Sequence, residues 1–427
     1  MKKNEFIKSM DKQKDTIPFR TNFIQELLKN KILTPLIDFD DDKDTEYFKN
    51  GKSLENETVF NDTRSNDTRY TLHKRVRDFN KVITQIGGTL YYIKSGTTGH
   101  TFKSEIKNAD GEIYNYGVKV VAYPRKTKYG EIYDSARPEN AEIMMLRLLS
   151  YFVVKKQTPH IVLPIATFNT NIKPFLSLQK EEVVTSSDKK YIDFLARYKE
   201  GEFYDEVSIL LSEWANSGDL LDYLRKNYKN MTLLDWKVIF FQIISTLAVI
   251  QRKFPSFRHN DLKANNILLH TISRTNPKFT YTVLKKKYVI PNIGLFVKLW
   301  DYDFACIPGI VDNIKVAMEW TKPINVTPTK HQYYDIHYFF NTLAFAGFFP
   351  QMMSSSHVPI EVKKFMKHII PKEIRSKECP HEKDEKCEIC HKNIHHKGRL
   401  LIADDEQFRH LFPSELLGHE FFSEFAQ

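Results

Sequence analysis

Cysteine is scarce, with 4 in 427 residues. Cys379, Cys387 and Cys390 fall in one stretch and Cys306 stands alone, so no disulfide framework spans the chain and a reducing compartment is expected. Long apolar runs are missing too. The longest, residues 238–250, is interrupted by Gln242, Ser245 and Thr246, and Met1-Lys2-Lys3-Asn4-Glu5 opens on charge rather than on an apolar core. Neither a secretory leader nor a membrane span is expected. The tripeptides Asn61-Asp62-Thr63 and Asn66-Asp67-Thr68 are then incidental matches to a glycosylation acceptor. No basic run interleaved with aromatics occurs. The net charge of +10 is spread through mixed-sign stretches, which argues against nucleic acid as the main ligand.

What the chain has is apolar mass. Its 41% hydrophobic and 13% aromatic content can fill the cores of about two or three units, which excludes a disordered or fibrous protein. Residues 1–80 read as a partly mobile extension, with an amphipathic helix over 19–33 and a polar stretch, 38–69, carrying an Asn-Asp-Thr-Arg repeat. Residues 89–123 read as β, with a hairpin turn at Asn108-Ala109-Asp110-Gly111. Ala141, Met144, Met145, Leu148 and Leu149 recur at helical spacing behind Pro138, predicting a helix over 138–152. Strands are expected at 161–165 and 207–211, with a polar insertion between them. Beyond Gly218 the pattern turns helical, including a buried helix over 233–252.

The densest chemistry is in His259-Asn260-Asp261-Leu262-Lys263-Ala264-Asn265-Asn266, followed by the apolar Ile267-Leu268-Leu269. A carboxylate, an ammonium two residues on and an amide five residues on are what phosphoryl transfer requires. Asp261 orients a hydroxyl and accepts its proton, Lys263 offsets phosphoryl charge, and Asn266 offers an oxygen to Mg²⁺. Downstream, Val297-Lys298-Leu299-Trp300-Asp301-Tyr302-Asp303 is an apolar strand ending in a second carboxylate.

These two segments resemble the catalytic loop and the metal-binding D-F-G element of the protein kinase superfamily, with Asp301 as the second Mg²⁺ ligand. The resemblance covers about 60% of the chain, residues 90–347. It implies an α+β, two-lobed fold with a β-rich N-lobe over 81–215, a helical C-lobe over 216–375 and a cleft for ATP and Mg²⁺ or Mn²⁺ between them. It also implies roles upstream. Gly96 and Gly99 stand where a Gly-rich loop covers the phosphates, with Lys94 in place of its first glycine. Lys119 meets the α- and β-phosphates and pairs with Glu142, or with Glu139 one turn earlier. The Glu213 carbonyl and the Ala215 backbone bind adenine, Asp219 reaches the ribose, and Asp335 braces the catalytic loop. Together with Pro308-Gly309-Ile310 and Tyr333-Tyr334-Asp335, the pattern is similar to the poxvirus virion serine/threonine kinases and to kinases of other large cytoplasmic DNA viruses. Protein substrates, and a host-cytoplasmic or virion location, are the corresponding expectations.

The pattern departs from the family in three places. Asn260 replaces the arginine that pairs with an activation-loop phosphate in many kinases, so activity independent of that phosphate is expected. No A-P-E sequence lies between Asp303 and Asp335, and an insertion containing Lys285-Lys286-Lys287 separates Asn266 from Asp301. Outside the resemblance, residues 376–427 hold Cys379, Cys387, Cys390 and His395 or His396, a donor set suited to a closed, structural Zn²⁺ site. Two alternatives to a protein kinase stand: a small-molecule kinase of the choline or aminoglycoside type, and a scaffold that binds partners without turnover. Lys263 favours the protein kinase over the former.

Overall fold

Thr16 is the first described residue. Its hydroxyl accepts from the Phe19 amide and caps helix α1, Ile17–Leu28, which stops where Asn30 turns left-handed (φ 57°). The structure, a computed structural model, describes residues 16–37, 39, 72, 74–107, 111–345, 347–375, 393–395 and 397–427. Most of the polar stretch 38–69 with its repeat, the turn residues Asn108 to Asp110, and Cys379, Cys387, Cys390 and His396 lie outside the described residues. Within the extension expected to be mobile, Ile24, Leu28, Leu33 and Ile37 are buried in the main core, and Leu36 N–H donates to Ile165 O.

Helix α2, Phe79–Ile86, leads into strands β1 (Thr89–Ser95), β2 (Gly99–Lys107) and β3 (Ile113–Pro124). Helix α3, Pro138–Val154, starts on proline and buries Ala141, Met145 and Leu149 at four-residue spacing. Strand β4, Pro164–Asn171, begins three residues later than the expected strand at 161–165. Ile161 makes only an isolated bridge to Leu299, and the Leu163 amide is claimed by the Glu213 side chain. The polar insertion that follows folds into α4, Lys189–Lys199, whose N-cap Asp188 accepts from Tyr191 N–H. Strand β5, Phe203–Glu213, completes an antiparallel five-stranded sheet in the order β1-β2-β3-β5-β4. Val118, Val120 and Ala122 alternate into its core face and leave Lys119 on the other, toward the cleft.

The second lobe is helical. Helix α5 is Leu220–Asn227, and α6, Leu233–Lys253, opens on a reciprocal capping box between Thr232 and Asp235. Among the described residues, α6 is the one helix long and apolar enough to cross a membrane, but it is buried along most of its length inside the lobe. Strand β6 (Ile267–Thr271) pairs with β9 (Leu295–Leu299), setting Ile267 opposite Leu299. Between them the insertion forms a hairpin of β7 (Lys278–Val283) and β8 (Lys286–Pro291), turning at Leu284 and Lys285 with φ of 51° and 69°. Helices α7 (Tyr334–Leu343) and α8 (Ile360–Ile369) follow. The C-terminal residues return to the lobe. Asn341 and Asn325 donate to the Gly398 and Leu400 carbonyls, and Phe421 stacks on Phe365 with centroids 4.2 Å apart.

Candidate active site

The β6–β9 pairing brings the two motif segments together. Asn266 directly precedes β6 and Asp301 follows β9, and the Trp300 amide donates to the Asn266 carbonyl. The loop before β6 is held from below. Asp335, fully buried at the start of α7, accepts from the His259 and Asn260 amides at 2.7 and 2.9 Å. That grip fixes Asn260 in the left-handed region (φ 62°), which asparagine tolerates well. Its side-chain amide points inward to the Phe304 carbonyl at 3.1 Å, away from any phosphate.

Asp261 is the focus of the loop. Its Oδ2 accepts from Asn266 Nδ2 at 3.0 Å and from Lys263 Nζ at 2.9 Å. Asn266 also donates to the Asp261 carbonyl at 2.9 Å, so its NH₂ is spent and its planar amide turns the oxygen outward. An outward amide oxygen and the Asp301 carboxylate are hard donors that fit Mg²⁺. Asp301 sits at φ 63° with Oδ1 3.3 Å from Lys119 Nζ, while Lys119 lies 2.6 Å from Glu142 Oε1. Burial would push the Asp301 carboxyl up, but Lys119, with His259 and Lys315 behind it, holds it below the ordinary range. Lys119 is opposed by burial in the same way, yet Glu142 and Asp301 hold it above the usual lysine value. The alternative carboxylate, Glu139, pairs instead with Arg137 Nε at 2.9 Å.

At the β1–β2 turn, Gly96 N–H donates to Gly99 O at 2.7 Å and closes it. Any side chain at Gly99 would put its Cβ 1.8 Å from the Val120 carbonyl, so this glycine is dictated by the approach of β3. The insertion braces the same turn from outside. Arg197 Nη1 donates to Thr97 O at 2.6 Å, and Tyr92 hydroxyl donates to Asp188 at 2.5 Å.

At the end of β5 the Glu213 side chain has work of its own. Its carboxylate accepts from Arg20 Nε (2.8 Å) and Nη2 (2.6 Å), Lys298 Nζ (2.9 Å) and the Leu163 amide (2.9 Å). Burial opposes ionisation there, but the two cations bring its pKa down to about 2. Ala215 is buried just beyond, at the crossing between the lobes. Asp219 uses Oδ1 to cap α5 through the Asp222 amide, so that oxygen is committed to the helix rather than to a ribose.

The segment after Asp303 is anchored without A-P-E. Lys315 pairs with Asp303 and lies 4.0 Å from the Phe304 ring centre, and Ile314 N–H donates to Ala136 O just before α3. Arg258 stacks 3.9 Å over Tyr334 and donates to the Asn325 carbonyl and the Thr327 hydroxyl. Sequence reasoning passed over Arg20, Arg258 and Arg399, the last of which contacts Asp261. Arg20 did leave a trace, since it shares a four-residue stripe with Ile24 and Leu28, an odd place for a solvated charge. His395 is the described member of the zinc set, and its Nδ1 accepts from Lys397 N–H.

Comparison with known proteins identifies the family. The profile of the protein tyrosine and serine/threonine kinase family matches residues 152–321. A protein of Acanthamoeba polyphaga mimivirus named as a serine/threonine-protein kinase, R400, is 46% identical over 391 residues, spanning 88% of this chain and 75% of that protein. A second mimivirus protein so named, R301, is 28% identical over 224 residues, 45% of this chain and 55% of its own length. A match from Dictyostelium discoideum, DDB_G0286465, also named as a serine/threonine-protein kinase, is 36% identical over 81 residues, 19% of this chain and 6% of its own length. The chain belongs to the protein kinase family, and its relatives include kinases of a large DNA virus.

Proposed function

We propose that the protein transfers the γ-phosphoryl group of ATP to serine or threonine hydroxyls of protein substrates. Asp261 orients the hydroxyl and takes its proton, Lys263 and Lys119 offset phosphate charge, and Asn266 and Asp301 hold Mg²⁺. When bound, the metal neutralises charge on the phosphates and fixes their position. Gly96 and Gly99 lie over the phosphates, and the backbone at Glu213 and Ala215 faces adenine. The observation that carries the reading is the continuous chain of contacts from Glu142 through Lys119 to Asp301, with Asp261 tied to Lys263 and Asn266 on the facing loop. The names of the mimivirus relatives support aliphatic rather than phenolic hydroxyls as acceptors.

The test is incubation of the purified protein with labelled ATP, Mg²⁺, generic protein substrates and a panel of small alcohols, beside Asp301→Ala. Label on serine or threonine, lost in Asp301→Ala, is the expected result. Label on an alcohol alone, or none at all, would overturn it and restore the small-molecule or scaffold alternative.

A structural Zn²⁺ held by Cys379, Cys387, Cys390 and His395 or His396 is a separate part of the proposal, supported by the chemistry of the donor set. Metal analysis of the purified protein finding no zinc would end it. Action in the virion or the host cytoplasm is proposed from the viral relatives alone, and kinase activity absent from both fractions would refute it.

A further inference from the structure

We propose that Arg399 is a positioning residue for phosphoryl transfer, delivered to the catalytic loop by the C-terminal segment. The inference rests on the reading of Asp261 as the residue that orients the hydroxyl.

Arg399 is only 7% exposed, and its guanidinium is fixed on every side. Nη2 donates to Asp261 Oδ1 at 2.6 Å, and Nη1 donates to the Asn260 carbonyl and, at 3.1 Å, to the Tyr334 hydroxyl. Its plane lies 4.3 Å from the centre of the Tyr338 ring. One planar group therefore joins the catalytic carboxylate, the backbone just before it, and two side chains of α7, the helix that braces the same loop through Asp335. The segment presenting Arg399 is itself clamped. His395 N–H donates to the Arg399 carbonyl at 2.8 Å, and Asn341 and Asn325 hold the Gly398 and Leu400 carbonyls.

A carboxylate offers about four acceptor positions. Asn266 and Lys263 use two on Oδ2 and Arg399 uses one on Oδ1, which leaves one for the proton of an incoming hydroxyl. With three charged or amide donors fixed around it, Asp261 cannot rotate away from that direction, and orientation of this kind is a large part of catalysis by placement. The contacts also argue against a displaceable plug. The guanidinium is packed on the interior side, against Tyr334 and Tyr338, both buried. Burial alone would lower its pKa, but the neighbouring Tyr334, Tyr338 and Asp261 keep the guanidinium charged.

Full-length wild type, Arg399→Gly, Arg399→Lys and Asp261→Asn are compared for kcat, KM for ATP and melting temperature. Arg399→Gly is expected to lose about 10²-fold in kcat with KM for ATP unchanged, the scale set by a misplaced reacting group. Free guanidinium ion, well below denaturing concentration, is expected to restore part of that loss where sodium chloride at equal ionic strength does not, because only the planar fork refills the site. Arg399→Lys, which keeps the charge but lacks the planar fork that holds Asp261, Asn260 and Tyr334 from separate nitrogens, is expected between the two. If Arg399→Gly does not fold, Arg399→Lys carries the test, and wild-type kcat in it overturns the inference. Wild-type kcat in Arg399→Gly with an inactive Asp261→Asn overturns the inference alone. Full activity in Asp261→Asn overturns the parent reading. A rise in kcat in either Arg399 variant would identify an inhibitory latch and likewise overturn the positioning role.

Discussion

Replacing Arg20 by methionine removes a cation from a buried triad while keeping the length of the side chain. In the native protein the Glu213 carboxyl is brought from 4.5 to about 2 in spite of its burial, by Arg20 and Lys298 together. At about 1.4 kcal/mol per unit, this shift corresponds to roughly 3 kcal/mol of folded-state preference for the carboxylate. Arg20 provides two of the four hydrogen bonds to that carboxylate and ranks ahead of Lys298 among its charge partners. Its share is therefore the larger, and Arg20→Met is expected to lower stability at pH 7 by about 2 kcal/mol, below the roughly 3–5 kcal/mol of breaking a buried pair outright because Lys298 remains. Urea unfolding followed by tryptophan fluorescence measures this directly, and Trp214 sits beside Glu213 as a reporter. The pH dependence follows from linkage. A carboxylate with a depressed folded pKa contributes its full stability above 4.5 and loses it as pH falls toward about 2. The gap between wild type and Arg20→Met should narrow below pH 4.5 and close near pH 2. A gap at pH 7 under about 0.5 kcal/mol, the worth of an exposed pair, or one that does not narrow by pH 3, would refute the reasoning.

Phosphatase-treated protein is expected to keep its activity, because Asn260 is turned inward and the Lys315–Asp303 pair and the Ile314–Ala136 hydrogen bond already hold the segment after Asp303; complete loss of activity on treatment would contradict this. Gly99→Ala should cost about 1–3 kcal/mol in urea unfolding, since its methyl group would collide with the Val120 carbonyl across the β2–β3 pairing, while Gly96→Ala, whose Cβ would meet only the Gly99 carbonyl at 3.7 Å, should cost less; equal losses would rule the contact out as the cause. Lys74 is buried with Tyr123, Asn140 and Ser208 around its Nζ, and burial brings its pKa down to about 7. The unfolded chain then binds more protons than the native one between pH 7 and 10.5, so the stability of wild type relative to Lys74→Met should rise across that interval, and a flat difference would show that Lys74 is charged in the fold.

The two-lobed fold and the centre of the site were legible because their signals are local. His259 to Asn266 places three chemical groups on one loop, and the strand ending at Asp301 is short, apolar and followed at once by carboxylates. Lys119 was readable through its strand, and Glu142 through the helical spacing of α3. What escaped were single arginines acting over long separations. Arg20 reaches Glu213 across 193 positions and Arg399 reaches Asp261 across 138, and no local pattern encodes a partner that distant. Arg20 stands on the stripe of Ile24 and Leu28, a charge on an apolar face, but Arg399 follows His396-Lys397-Gly398 and precedes Leu400-Leu401-Ile402, at the edge of a polar stretch that marks it out in no way. The insertion before β5 was opaque for the opposite reason. Its helix is polar overall and turns only Tyr191 and Phe194 inward, two apolar anchors in a stretch whose composition reads as loop, and Arg197 and Asp188 reach the β1–β2 hairpin from it.

The grip of Arg197 and Asp188 on the β1–β2 turn bears on the rhythm of turnover. On the proposed reading that Gly96 and Gly99 cover the phosphates, ADP passes this turn as it leaves. Here its tip is tethered to a helix that is itself fastened to the sheet through Tyr191 and Phe194, so opening it requires that helix to shift or the Arg197 bond to break. The dwell time of spent nucleotide would then be set by an element with no part in the chemistry, and any molecule that binds the outer face of α4 would act on the pace of the cycle without touching the cleft.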